Sequence, residues 1–400
     1  MHASWKWNWR SISAKRATAY GRHEPDACRR QAMLSFLAVV LLVYGTMHFY
    51  LLSKVWFALP HSWTLAAGLC VAGILLTCSP LLVWFLERQA WHRPTVIAAW
   101  ANYTWMAYLF LFMCIGLLFD FGFILSRLLN LAWPVNPMWT LRLVALIALA
   151  LLVYGFFEAR QIRIERIDIP TPKLASGRVT IAQISDLHLG VMQGERLLDR
   201  VMPRLRELQP DIVVATGDIV DGEGDDFAAL ARRFHAYRPP LGAYAVTGNH
   251  EYYAGLEHSL AFMRNAGFTL LRGESARAGG IVLAGVDDPS VAKSLQRADE
   301  DEARALASAS GEAFTILLKH QPRVLEASPF DLQLSGHVHG GQIYPFVHFT
   351  RMAYKFHTGL TELADGRRLY VSRGTGTWGP PIRLFAPPEI SLITIHAAAE

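Results

Sequence analysis

Apolar residues are spread unevenly along this 400-residue chain, and that imbalance limits what it can fold into. Before about residue 158 they gather in four stretches, 33–59, 63–86, 95–124 and 138–157. Each reaches the ~20 residues that span about 30 Å of hydrocarbon. Four in succession, parted by short polar breaks, predict transmembrane helices rather than the core helices of a soluble domain. Pro80, late in the second stretch, kinks or ends it. No signal peptide is expected, because a charged segment precedes residue 33 and no small-residue cleavage site follows the first stretch. Trp56, Trp63, Trp91, Trp133 and Trp139 sit at segment ends, as interfacial anchors do.

Basic residues set the orientation. The first 32 residues hold Lys6, Arg10, Lys15, Arg16, Arg22, Arg29 and Arg30 against Glu24 and Asp26. Arg88 and Arg93 follow the second stretch, and Arg160, Arg163 and Arg166 follow the fourth. The opposite loops show mainly Lys54 and Arg127. The positive-inside rule therefore puts both ends of the helical region, and the soluble half, in the cytoplasm; a bacterial inner membrane is the expected location. From residue 161 onward, 25 Lys and Arg stand against 28 Asp and Glu. The net charge of +5 thus belongs to the membrane half and its basic tail, which suits anionic lipid headgroups. Nucleic-acid binding by the soluble half is not expected. Cys28, Cys70, Cys78 and Cys114 all lie before residue 158 and suggest no disulfide framework.

The second half reads differently. From Arg178, apolar runs, polar loops and helical patterns repeat, which argues an α/β domain. Strands are predicted over 179–185, 211–216, 243–247, 281–286, 314–319, 332–335, 369–373 and 390–395. Helices are predicted over 195–208, 226–237, 258–266 and 292–308. The aromatic, basic segment 344–354 shows no periodicity and reads as a long loop. A domain division follows: 1–32 a basic cytoplasmic tail, 33–158 four transmembrane helices, 159–400 a catalytic domain.

Five polar clusters each follow an apolar run: Asp186-Leu187-His188, Gly217-Asp218, Gly248-Asn249-His250-Glu251, His320, and Gly336-His337-Val338-His339. In α/β sheets, ligand groups collect beyond the carboxyl ends of strands, so one rim can gather these distant residues. Gly217, Gly248 and Gly336 precede ligands and would let the chain turn sharply. Carboxylates, an amide oxygen and imidazoles together suit Mn, Fe, Zn, Co or Ni. With no cysteine in this half, a thiolate zinc site is excluded.

The order Asp-x-His, Gly-Asp, Gly-Asn-His-Glu, His, Gly-His-x-His resembles the calcineurin-like metallophosphoesterase superfamily. The four preceding spans and the run Gly374-Thr-Gly-Thr-Trp-Gly379-Pro-Pro-Ile-Arg383 resemble its membrane-associated branch. The resemblance implies two β-sheets sandwiched by helices, and a centre of two divalent metal ions. Asp186, His188 and His339 would hold the first ion, and Asn249, His320 and His337 the second. Asp218 would bridge them. His250 would face the substrate phosphate and assist the leaving oxygen. Two cations about 3.5–4 Å apart clamp the attacking and leaving oxygens and make a hydroxide available at neutral pH. A phosphomonoester, phosphodiester or pyrophosphate substrate is implied. The membrane setting favours a lipid-linked one, such as UDP-diacylglucosamine in lipid A synthesis.

Other features weigh less. Gly374-x-Gly376-x-x-Gly379 matches a dinucleotide fingerprint, but Pro380 and Pro381 prevent the helix that such a site needs. Asp221, Glu223, Asp225 and Asp226 read as a solvated acidic run. Arg373 and Arg383 could bind phosphate oxygens in bidentate fashion. Phe346, Phe349, Tyr354 and Phe356, with Arg351 and Lys355, could receive a lipid or pack on the domain. Asp120, an acid in the third apolar stretch, keeps open a membrane sensor or transporter with a metal-binding domain. A small-nucleotide phosphodiesterase is the other alternative.

Overall fold

The computed structural model describes residues 26–398, apart from 90, 132–135, 175, 223–226, 308, 310 and 327. Most of the basic tail, Trp133, Glu223, Asp225 and Asp226 lie outside the described residues. Five helices come first: α1 (Asp26–Ala58), α2 (Trp63–Thr77), α3 (Ser79–Arg88), α4 (His92–Leu128) and α5 (Pro137–Glu158). Ala38–Ala58, α4 and α5 are long and apolar enough to cross a membrane. The second expected span is interrupted near Pro80, as the sequence suggests. It breaks at Cys78 into α2 and α3, bent by 40°. Pro80 lies in the first turn of α3, where a missing N–H and a fixed φ are tolerated, so it opens a new helix instead of continuing the old one. Among the described residues, three continuous apolar helices and one bent pair stand where four spans are expected.

The helices pack with a definite polarity. Tyr44 OH donates to Asn102 Oδ1 (3.4 Å), Trp105 Nε1 to His48 Nε2 (2.9 Å) and Tyr50 OH to Asp120 Oδ2 (2.7 Å), so α1 and α4 run parallel. Trp100 meets Phe156 with ring centroids 6.3 Å apart, and Tyr108 OH donates to Ala145 O at 3.5 Å, so α4 and α5 run antiparallel. The start of α4 and the end of α5 therefore share one end of the bundle. Asp120 also pairs with Lys54, so this acid meets a cation within the helices.

The remaining chain begins β1 (Arg163–Thr171), β2 (Arg178–Ile184), β3 (Leu189–Gly190), α6 (Glu195–Leu208), β4 (Ile212–Thr216), β5 (Val220–Asp221), α7 (Phe227–His235), β6 (Ala243–Val246), α8 (Asn249–Tyr253), α9 (Leu256–Asn265) and β7 (Thr269–Leu270). It continues β8 (Glu274–Ala278), β9 (Ile281–Gly285), α10 (Pro289–Ala292), α11 (Leu295–Leu306), β10 (Thr315–Leu318), β11 (Leu332–Ser335), α12 (Val347–Ala353), β12 (Gly359–Glu362), β13 (Arg368–Val371) and β14 (Glu389–Ala397). One six-stranded sheet has the order β1-β14-β2-β4-β6-β7 and the other β12-β13-β11-β10-β9-β8. Both are mixed: β2, β4, β6 and β7 run parallel, as do β13, β11, β10 and β9, while β14 against β2, β12 and β8 are antiparallel. β4 and β10 are buried along their whole length, as parallel strands covered on both faces are. Between the sheets Ile181, Val214, Ile316, Leu334 and Ile393 form one core. Leu197, Leu198, Val201, Met202 and Leu205, one face of α6, join Phe234 of α7 and Phe262 of α9 in a second core.

Segment 344–354, expected as a loop, contains α12. No residue of α12 is buried, so no core-facing stripe marks it in the sequence. The helical and α/β parts are in contact. Ile343, Ile382 and Leu384 cluster with Leu111 and Phe112 of α4 and Val144 and Ala148 of α5. Arg383 N donates to Gly155 O at 3.0 Å, and Phe385 N to Glu158 Oε2 at 2.7 Å.

Candidate metal centre

Asp186 follows β2, Asp218 follows β4, Asn249 follows β6, His320 follows β10 and His337 follows β11. The backbone there is unusual. Asp186, His188, Asp218, His337 and His339 all adopt left-handed angles (φ 53°, 49°, 52°, 73° and 51°). That region costs an L-residue roughly 1–2 kcal/mol, and such strain persists where the surroundings over-determine it. Here Asp186 N donates to Gly217 O and His188 N to Asp218 O, both at 3.0 Å, and His337 N donates to Asp186 Oδ1 at 3.0 Å. Gly217, with φ 90°, turns the chain as expected. Gly248 and Gly336 do not use left-handed angles; they provide room. A Cβ at Gly248 would lie 2.2 Å from Asp218 Oδ1, and one at Gly336 2.3 Å from Asp186 Oδ2.

Among the described residues three groups of ligand atoms result; two, Asp186–His188–His339 and Asp218–His320–His337, correspond to the expected ligands, and the third, His188–Asp221–His250, adjoins them. In the first, the Nε2 atoms of His188 and His339 face each other at 3.0 Å, and Asp186 Oδ1 is 3.4 Å from His339 Nε2. In the second, His320 Nε2 is 3.1 Å from both Asp218 Oδ2 and His337 Nδ1. Asp218 Oδ2 is also 3.9 Å from His188 Nε2, so its carboxylate stands between the groups. Asn249 Oδ1 is buried without a hydrogen-bond partner. An orphaned amide oxygen and facing imidazole nitrogens are what a cation would satisfy, and this donor set fits divalent metals.

The charges agree. Burial raises the Asp218 pKa, but His320, His188 and His250 outweigh it and hold the carboxyl well below its ordinary range. Burial opposes a charge on His320, yet Asp218 pushes its pKa well up, so metal loading must release that proton. Burial, then the His320 charge, lowers His337 to about 4. Burial, then Arg383, holds His339 well below the usual imidazole range. Both are thus neutral, the form that ligates.

Beneath the rim lies Glu251, fully buried. Its Oε1 accepts Ile219 N (2.6 Å) and Val220 N (3.0 Å), and its Oε2 accepts Asp218 N (2.9 Å) and Gly248 N (2.6 Å). Burial, then the Asp218 charge, raises its pKa.

Asp221 corrects the expectation of a solvated acid. His250 Nδ1 is 2.9 Å from its Oδ1, and His188 Nδ1 is 3.5 Å from its Oδ2, without hydrogen-bond alignment. Burial opposes ionisation of Asp221, but these two histidines hold its pKa below the ordinary carboxylate range. Burial likewise opposes a charge on His250, and the bond to Asp221 wins and raises its pKa. The signal was present: two apolar residues, Ile219 and Val220, carry the chain from one acid to the next. Val220 and Asp221 form β5, which pairs Val220 with Leu189 and Asp221 with Gly190.

Residues 179–341 match the calcineurin-like phosphoesterase family. An uncharacterized metallophosphoesterase of Aquifex aeolicus is 43% identical over 255 residues, 62% of this chain and 97% of that one. The chain belongs to the calcineurin-like metallophosphoesterase family. It is thus a phosphoesterase hydrolase by family. A Helicobacter pylori metallophosphoesterase is 34% identical over 62% of this chain and 68% of its own. A transmembrane protein with metallophosphoesterase domain from Danio rerio is 32% identical over 311 residues, 70% of its length. That match covers 73% of this chain, more than residues 159–400 can supply, so the likeness reaches into the helices.

In this metallophosphoesterase, Arg373 and Arg383 do not serve as expected. Arg383 is fully buried, and its guanidinium donates to Gly376 O, His339 O, Arg373 O and Ala386 O, with Nη2 3.2 Å from His339 Nδ1. No face is left for a substrate phosphate, and burial pushes its pKa down to about 10. Arg373 pairs with Glu165 and with Glu389 (2.7 Å), and donates to Pro387 O. Arg373 ties the chain to Glu165 of β1 and Glu389 of β14, and Arg383 holds the loop 374–379 through Gly376 O. That loop opens no helix; Thr375 N and Gly376 N donate to Ser185 O and Asp186 O at 2.7 and 3.0 Å, which seats it under the first ligand group. Trp378 and Tyr253 stand edge-on to His250, with centroids 5.7 and 5.4 Å away. Tyr354 OH is 2.5 Å from His337 Nε2.

Proposed function

We propose that this chain is a membrane-anchored phosphoesterase that hydrolyses a phosphoester or pyrophosphate bond in a lipid or lipid-linked substrate, using two divalent cations. One observation carries the reading: buried and half-buried imidazole nitrogens face each other at 3.0 and 3.1 Å in two groups joined at Asp218. Asp186, His188 and His339 would hold one cation, and Asn249, His320 and His337 the other, with Asp218 shared. When bound, such a pair neutralises phosphoryl charge and supplies the nucleophile at neutral pH. His250, whose protonated form Asp221 favours, would give its Nε2 proton to the leaving oxygen. Asp221 fixes the ring and balances its charge. Trp378 and Tyr253 pack edge-on against the His250 ring and help hold it in place.

In this reading the helices cross the bilayer four times, with residues 1–32 a basic tail, 33–158 the membrane region and 159–400 the catalytic domain. The parallel run of α1 and α4 supports it, because the bent pair between them must return the chain to its starting side. The basic excess favours the cytoplasmic face of a bacterial inner membrane for that side. Tethering raises the effective concentration of a substrate held in the same surface, which favours lipids and lipid-linked pyrophosphates such as UDP-diacylglucosamine. Metal analysis of the purified full chain, with a panel of soluble and lipid phosphoesters, tests the reading. About two transition-metal ions per chain and faster turnover of lipid-borne esters are expected. A folded, metal-loaded protein that cleaves nothing on the panel refutes it.

A further inference from the structure

α12 presents an apolar stripe that the α/β domain does not cover. Phe346 at its N-cap, Phe349 and Met352 are 48%, 59% and 85% exposed and recur every third residue. Exposed Arg351 lies on the other side, exposed His348 flanks Met352 one turn away, and exposed Lys355 follows. An apolar stripe rimmed by polar residues marks an interaction surface.

The neighbour of this stripe is the helical bundle. Phe346 meets Phe110 of α4 with ring centroids 6.4 Å apart. Phe110 stands one half-turn beyond Tyr108, which reaches Ala145 O near the middle of α5. From there to its C-terminal end α5 keeps exposed apolar side chains, Leu146, Leu149, Val153 and Phe157. α12 therefore lies beside the apolar band of the bundle, not beyond its end. Its C-cap is Tyr354, whose hydroxyl touches the candidate ligand His337.

We propose that α12 dips into the leaflet facing the catalytic domain, with its stripe among acyl chains and its basic side against anionic headgroups. A lipid-borne phosphoester then passes α12 into the metal centre without leaving the bilayer surface. The occupant of the stripe is the lipid layer, argued from its continuity with α4 and α5 and from the basic flank. The inference rests on the proposed crossing of the membrane by those helices.

Spin labels separate the two ideas. Met352→Cys, Leu146→Cys and Arg277→Cys are made in the full chain with its native cysteines replaced by serine, labelled, and reconstituted in phosphatidylcholine–phosphatidylglycerol vesicles. Collisions with oxygen report lipid, and collisions with a nickel chelate report water. Oxygen-accessible, chelate-protected labels at 352 and 146, with the reverse at 277, support the proposal. A protected 146 with a water-exposed 352 overturns it and leaves the crossing intact. A water-exposed 146 overturns both. With the native cysteines retained, Phe349→Ser/Met352→Ser gives a second readout. The ratio of hydrolysis rates for hexadecyl p-nitrophenyl phosphate in those vesicles and ethyl p-nitrophenyl phosphate in solution is expected to fall about tenfold or more. An unchanged ratio overturns the proposal.

Discussion

Replacing Glu251 by glutamine tests how the metal rim is held. The carboxylate accepts four backbone N–H groups, two on each oxygen. An amide keeps one oxygen. Whichever way it is turned, two buried N–H donors lose their acceptor and face an NH2 group. Each unsatisfied buried donor costs about 1–3 kcal/mol, so Glu251→Gln should destabilise the fold by about 2–6 kcal/mol. At about 2–4 °C per kcal/mol for a domain of this size, Tm should fall by about 4–24 °C. Glu251→Ala strands all four donors, about 4–12 kcal/mol, which rivals the whole stability of a typical domain; it should not accumulate as folded protein. The assay is thermal unfolding of the full chain in detergent, followed by tryptophan fluorescence, with chelator present so that metal loss is not the cause. A Glu251→Gln protein melting within about 2 °C of the parent would refute the reasoning. Without chelator, the same variant should carry less metal, because the Asp218 backbone hangs on that carboxylate.

Further outcomes follow from the site. Asp218→Asn should abolish phosphoesterase activity and reduce metal content; full activity would remove the shared-ligand role. His250→Ala should keep its metal and lose about 10²–10⁴ in rate; metal loss would make it a ligand instead. Asp221→Asn should also keep metal, and adding it to His250→Ala should cost nothing more, since Asp221 acts through His250; a further drop in the double variant would show an independent role. Gly336→Ala places a Cβ 2.0 Å from Ser185 Oγ and 2.3 Å from Asp186 Oδ2, so metal content should fall even where the protein folds; native content would disprove the close approach.

Much of the site was legible because its signals are local. A ligand directly after an apolar strand is visible in the chain order, and Asp186, Asp218, Asn249, His320 and His337 all stand at such ends. The strands 332–335 and the helix 195–208 carry clear periods of their own and appear where predicted. Asp221 is not legible in the chain because its partner His250 is 29 residues away, and a short acidic run looks solvated until β5 is laid beside β3. The role of Arg383 is hidden for a related reason. An arginine beside a glycine-rich loop suggests phosphate binding, but only the folded chain surrounds it with carbonyls.

Chain order was enough to separate an apolar helical half from an α/β half and to line up the candidate ligands, since hydrophobic period and residue type act over a few neighbours. Only the folded chain shows that Asp221 holds His250, that Arg383 is buried, and that α12 rests against α4. Those outcomes depend on which distant surfaces meet, and burial and hydrogen-bond partners exist only once they have met.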